Sequence, residues 1–229
     1  MKHLPTPIAL LGGTFDPVHY GHLRLADDVR AALALPEVRL VPAGDPPHRG
    51  HPHASATDRL AMLDLACREF PALAIDPREI QRSGKSYTVL TLEELRREDA
   101  RRPLLWIVGA DALIGLPQWH RWRELFDLAH LVVAERPGVT LDSSLPAALR
   151  SEWNARVTDD SVILRRTPFG AIYRQPVTPQ PISASAIRGK IGGAIAGRRD
   201  NIAAVRGLLP DGVLAYIEHN GLYRAPSAP

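Results

Sequence analysis

The chain has little sulfur: its 229 residues include one cysteine, Cys67, and two methionines. A lone thiol excludes an intrachain disulfide, and the expected compartment is the cytoplasm. Cys67 stands in the apolar-periodic segment 60–70 and reads as a small core residue, not a nucleophile. No apolar stretch approaches the roughly 18 residues that a membrane-spanning helix requires. The first eleven residues lack the length of a signal peptide, so secretion and membrane insertion are both disfavoured. Long basic runs are also missing. Lysine and arginine total 28 against 25 acidic residues, a formal charge of +3. That mild excess suits small polyanions held in a cleft better than a nucleic-acid track, which shows a clustered basic stripe. There is no internal repeat, and no motif encodes an oligomeric state.

What is present suffices for one α/β domain with a full core, residues 1–224, followed by a frayed Pro- and Ala-rich tail at 225–229. Apolar residues make up 45% and charged residues 23%, ordinary values for a globular chain. Strand-like and helix-like segments alternate, which predicts a doubly wound parallel sheet with helices on both faces. Strands are expected at 8–11, 38–41, 73–75, 104–108, 131–134, 162–164 and 171–173, with an extended stretch at 79–81. Helices are expected at 20–34, at 58–70 with Thr57 as its cap, and at 88–98, 112–114, 119–129, 183–191 and 211–219. Residues 198–206 read as another turn or two, and 139–154 as a loop with one short helix.

Near the start stands Ile8-Ala-Leu-Leu-Gly-Gly-Thr-Phe-Asp-Pro-Val-His-Tyr-Gly-His22. An apolar run stops at Gly12-Gly13, and two histidines follow three residues apart. This pattern predicts a buried strand, a Gly-rich turn and a helix starting near Tyr20, with His19 and His22 on one face of its first turn. A helix start offers backbone N–H groups and a positive dipole end to an anion. Imidazoles there add donors that can follow charge developing on a phosphate oxygen. The full string G-G-T-F-D-P-x-H-x-G-H resembles the signature of the nucleotidyltransferase superfamily that carries an H-x-G-H element on a Rossmann-like fold.

Two further motifs fall in the order that resemblance implies. Pro46-Pro-His-Arg49 follows the second strand, where two prolines stiffen a loop carrying a cation. The superfamily has a phosphate-contacting lysine there. Arg49 keeps the charge but presents a planar fork instead of a compact ammonium. Ile182-Ser-Ala-Ser-Ala-Ile-Arg188 resembles the I-S-x-[ST]-x-I-R element, whose serine and arginine contact ATP phosphates. On the residues alone, Ser183 is an ordinary helix cap. Arg188 is a cation near a helix start, unfavourable unless an anion lies beside it.

A third group narrows the family. Glu79-Ile-Gln-Arg-Ser-Gly-Lys-Ser-Tyr-Thr88, Gly109-Ala-Asp111, Trp119 and Arg136-Pro-Gly138 resemble bacterial nicotinate-nucleotide adenylyltransferase, as do Leu209-Pro210, Tyr216-Ile217 and Leu222-Tyr223. The resemblance implies adenylyl transfer from ATP to nicotinate mononucleotide without a covalent intermediate, and Mg²⁺ travelling with ATP, since no carboxylate cage is visible. It implies that His19, His22, Arg49 and Arg188 act on the phosphates. Gly12, Gly13, Thr14, Phe15, Gly109, Asp111, Arg136, Ile182, Ser183 and Ser185 would bind ATP. Asp16, Tyr87, Thr88 and Trp119 would hold the acceptor, amides at the Ser-Tyr-Thr turn taking the nicotinate carboxylate and Trp119 stacking on the ring. Residue types alone leave open nicotinamide mononucleotide, another phosphate acceptor, or a catalytically dead nucleotide sensor. They also leave Asp111 equally readable as a helix cap.

Overall fold

A computed structural model describes residues 4–46, 51–135, 141, 144–192 and 201–224, the side chains of 201 and 202 excepted. Seven strands form one sheet: β1 (Ile8–Gly13), β2 (Val38–Pro42), β3 (Leu73–Ile75), β4 (Leu104–Gly109), β5 (His130–Glu135), β6 (Val157–Thr158) and β7 (Ile172–Pro176). Their order is β3-β2-β1-β4-β5-β7-β6, and every pairing is parallel. The protein is therefore α/β with a Rossmann-like sheet, and the strand order reverses between β1 and β4, where such sheets open a crevice.

Strand side chains alternate between two apolar layers, as the two-residue period of a pleat requires. Ala9, Leu11, Leu105, Ile107, Val132 and Ala134 face one core. Leu10, Leu104, Trp106, Val108, Leu131 and Val133 face the other. On the first face lie α1 (Tyr20–Ala32), α2 (Ala56–Cys67), α8 (Ala184–Gly192) and α9 (Asp211–His219), through residues such as Leu23, Met62, Ile187 and Ile217. The second is covered by α4 (Thr88–Glu98), α5 (Ala110–Ile114) and α6 (Ala147–Arg156), through Leu92, Leu113 and Leu149. Each large aliphatic side chain so buried contributes about 1.5–3 kcal/mol relative to exposure.

Several expectations are corrected. Thr57 does not cap the second helix. Ser55 does, accepting from the Asp58 amide at 3.1 Å while its hydroxyl donates to the Asp58 carboxylate at 2.6 Å. Residues 79–81 are not extended but lie in α3 (Arg78–Gln81), because the Asp76 carboxylate folds back onto the Arg78 amide (3.3 Å) and guanidinium (2.8 Å). The apolar run 162–164 is no strand. It enters α7 (Ile163–Arg166), started by Asp160 accepting from the Val162 amide at 2.9 Å, and β6 fills the sheet position beside β7. The expected helix 119–129 is a shorter 3-10 helix, Trp122–Asp127, preceded by Arg121 at φ 52°, and a separate 3-10 turn, Leu116–Gln118, comes before it. Asn201–Val205 is also a 3-10 turn.

Candidate active site

The carboxyl end of β1 lies at the switch point, beside β4. A Cβ on Gly12 would stand 2.6 Å from Cζ2 of Trp106, so only a glycine lets the indole of β4 approach this turn so closely. The chain then bends through Phe15, whose φ of 50° is a conformation few non-glycine residues adopt, and through a cis Asp16–Pro17 peptide. His19 occupies the extended position just before α1. Its carbonyl accepts from the amides of His22 (2.9 Å) and Leu23 (3.2 Å), while the first helical amide, of Tyr20, is spent on Leu208.

This geometry stacks the two imidazoles, centroids 3.7 Å apart and planes at 25°, with Phe15 edge-on to His22 at 5.0 Å. Gly21 permits the stack, since its Cβ would stand 2.9 Å from His19 ring atoms. His19 is 4% exposed. Burial lowers its pKa to about 4, so the ring is neutral at physiological pH. The neutral inner ring supports His22, which faces the cavity.

Across the cleft, Ser86, Tyr87 and Thr88 form the start of α4. Tyr87 is the extended residue before the helix, so the amides of Thr88 and Val89 precede its first intrahelical bonds and suit an anion. Ser86 stitches this turn to the loop after β2: its Oγ accepts from the Gly44 amide at 2.8 Å and its amide donates to Asp45 at 2.9 Å. Behind it Glu79 is buried, and its carboxyl accepts from the Thr91 hydroxyl at 2.6 Å. Burial raises the Glu79 pKa. Tyr87 packs against His120 with ring centroids 4.4 Å apart and planes tilted by 33°, and Trp119 borders the cavity beside them.

The cavity bounded by these groups measures about 570 Å³, within the range of small-molecule sites. It reaches from Gly12, Gly13, Thr14, Phe15 and His22, past Gly109 and Asp111, to Tyr87, Thr88 and Trp119. Asp111 lies within α5, and Gly109 takes the capping position, so the capping alternative for Asp111 is excluded.

Residues 10–190 match the family model described as cytidylyltransferase-like. A probable nicotinate-nucleotide adenylyltransferase of Dechloromonas aromatica is 47% identical over 220 residues, covering 95% of this chain and 98% of its own length. One from Pseudomonas syringae pv. tomato is 46% identical over 228 residues, covering 99% and 98%. The chain belongs to the nicotinate-nucleotide adenylyltransferase family. The fold is also that of a solved Plasmodium falciparum nicotinic acid mononucleotide adenylyltransferase complexed with NaAD, at TM-score 0.72 and 16% identity over 96% of this chain and 98% of that one. A second structure of that protein, complexed with APC, gives 0.69 at 15% identity, with the same two coverages of 96% and 98%.

In this member of the family the residues expected at the site fall into four groups. Twelve border the cavity: those named above together with Asp16 and Arg188. His19 lies directly behind His22. Ile182, Ser183 and Ser185 sit at the start of α8, outside the cavity wall, where Ser183 accepts from the Ala186 amide at 3.2 Å as a cap does. Arg49 and Arg136 lie outside the described residues. Glu79, His120 and Arg59 were not anticipated. Arg59 is 1% exposed and donates to the carbonyls of Thr14 (2.8 Å), Ala43 (2.6 Å) and Gly44 (3.4 Å), tying the loop after β1 to the loop after β2. Its signal was available: Arg59, Met62, Leu63 and Ala66 share one helix face, and a cation in that register must find buried acceptors.

Proposed function

We propose that the chain transfers the adenylyl group of ATP to nicotinate mononucleotide, giving deamido-NAD and pyrophosphate, a step of NAD biosynthesis in the cytoplasm. The observation that carries this reading is one cleft at the switch point joining an imidazole-bearing helix start to an amide-bearing helix start flanked by Trp119. The first end suits phosphates, and the second suits a flat ring bearing a carboxylate. A nucleotide and a mononucleotide lying between them meet at the Gly12–Gly13 turn.

The acceptor's 5′-phosphate oxygen attacks the α-phosphorus as the bond to the β-bridging oxygen breaks, and pyrophosphate leaves with that electron pair. A phosphate dianion needs no strong base, so the protein's task is alignment and charge neutralisation. His22, backed by neutral His19, donates to the bridging phosphate region. Arg188 and Arg49 hold the departing β/γ end, with Arg136 and the segment Ile182, Ser183 and Ser185 completing the triphosphate site. Gly12, Gly13, Thr14 and Phe15 shape the turn against the phosphates, and Gly109 and Asp111 meet the ribose of ATP. Tyr87, Thr88 and Trp119 hold nicotinate, with Asp16 at the junction of the two substrates. Mg²⁺ enters with ATP. Among the described residues no three acidic, histidine or cysteine side chains converge as a cage, and a hard cation bound through substrate phosphates needs none.

The acceptor is tested by comparing kcat/KM for nicotinate and nicotinamide mononucleotides. Backbone donors aimed at a carboxylate favour the acid by at least about a hundredfold, as expected where a polar group would be left mismatched. Equal values for the two acceptors would contradict the assignment.

A further inference from the structure

Asp16 borders the cavity, yet its carboxylate is already engaged from inside the protein. Oδ2 accepts from the His53 amide at 2.8 Å. Oδ1 accepts from the Ala54 amide at 3.0 Å and from the Tyr223 hydroxyl at 2.8 Å. The Asp16 carbonyl accepts from Nη1 of Arg188 at 2.6 Å, and that same Nη1 stands 3.9 Å from Oδ2. Three segments distant in sequence thus converge on this one residue of the β1 turn: the stretch before α2, α8, and the turn that follows α9. Of these, α8 supplies Arg188, given a role above, and the stretch before α2 supplies His53, which borders the cavity. Tyr223 lies outside the cavity lining, and its φ of 64° is a strained conformation for a bulky residue.

We propose that Tyr223 is a positioning residue for ATP: by sharing the Asp16 carboxylate it keeps that charge from capturing Arg188, leaving the guanidinium for the triphosphate. The inference rests on the adenylyl-transfer reading for the role of Arg188 toward ATP and for the identity of the second substrate. Arg188 is poised between two uses. Held by the neutral carbonyl, it presents its remaining N–H groups to an anion in the cleft. Its ion pair with Oδ2 is a loose one at 3.9 Å. Drawn the last ångström into a hydrogen-bonded pair, the guanidinium would be one for which the triphosphate has to compete. Two amides and a phenol on the carboxylate disperse its charge and favour the first arrangement. Burial and the neighbouring carboxylate push the Tyr223 pKa up, so the phenol keeps its proton and remains a donor. Arg59 adds a positive charge near both Asp16 and Tyr223. On this view the Asp16 carboxylate is a hub internal to the protein rather than a ligand of the acceptor.

Tyr223→Phe removes the one hydroxyl and keeps the ring. The expected result is a rise of about tenfold in both the KM for ATP and the Kd of ATP measured by calorimetry without acceptor, the scale of one hydrogen bond to a charged group. The KM for nicotinate mononucleotide stays within about twofold on the same reasoning, since Tyr87, Thr88 and Trp119 do not touch the hub. Tyr216→Phe is the control. It deletes a comparable phenol-to-carboxylate bond, to Asp58 at 3.0 Å, and leaves ATP binding unchanged. ATP affinity unaltered in Tyr223→Phe overturns the proposal, and so does an equal weakening toward both substrates, which marks a merely structural contact. The calorimetric measurement needs no turnover. A wild-type protein that binds ATP but does not adenylate nicotinate mononucleotide therefore refutes the functional reading while the hub is still tested.

Discussion

His19 carries a titratable ring into a place that water barely reaches, and stability must follow from that. Its folded pKa of about 4 lies below the ordinary histidine value of 6.5, because burial disfavours the charged form. The unfolded chain therefore binds the proton more tightly. The contribution of this group is fully present above pH 6.5, is lost progressively as pH falls toward 4, and reaches on the order of 3 kcal/mol. We predict that melting temperature falls across that window and that His19→Asn flattens this part of the profile. A slope unaltered in the variant would place the effect elsewhere. His22 differs in facing the cavity, so its substitution should register in turnover. His22→Ala is expected to lower kcat by at least about a hundredfold with a smaller change in ATP affinity, as for a contact made mainly in the transition state. Steady-state kinetics with both substrates saturating checks it, and near-wild-type turnover would remove the histidine from the mechanism.

The start of α1 shows how an element trades its own stability for a site. Alanine is a better helix former than glycine by about 1 kcal/mol, yet at position 21 its Cβ would stand 2.9 Å from the His19 ring. Gly21→Ala should therefore leave the protein folded but unstack the histidines and lower kcat about tenfold or more, the penalty of misplacing a group in the transition state. Unchanged kcat would show that the stack is incidental. Elements with periodic faces or local caps were legible in the sequence. The bounds predicted for Thr88–Glu98 and Asp211–His219 are the bounds found, because their apolar spacing and their preceding turns agree. Short segments were not. Arg78–Gln81 and Ile163–Arg166 have too few residues to display a period, and each is decided by an aspartate folding back on an amide.

At the scale of the molecule, alternating segments led to a parallel sheet clothed on both faces, and motif order put most of the site at one crevice. Contacts between distant residues were illegible. Nothing local links Tyr223 to Asp16, 207 positions apart, or announces that Trp106 of β4 would cover Gly12. Such pairs exist only once the β1–β4 switch point has brought both ends of the chain together. That switch point also frames the central claim, since the two proposed substrate sites lie side by side there, from which direct transfer between bound substrates follows. The decisive measurement is release of pyrophosphate by the purified protein, followed together with dinucleotide formation. With ATP and nicotinate mononucleotide the account predicts one pyrophosphate per deamido-NAD formed, and with ATP alone no burst. A pyrophosphate burst equal to the enzyme concentration without acceptor, or no dinucleotide with both substrates present, would contradict it.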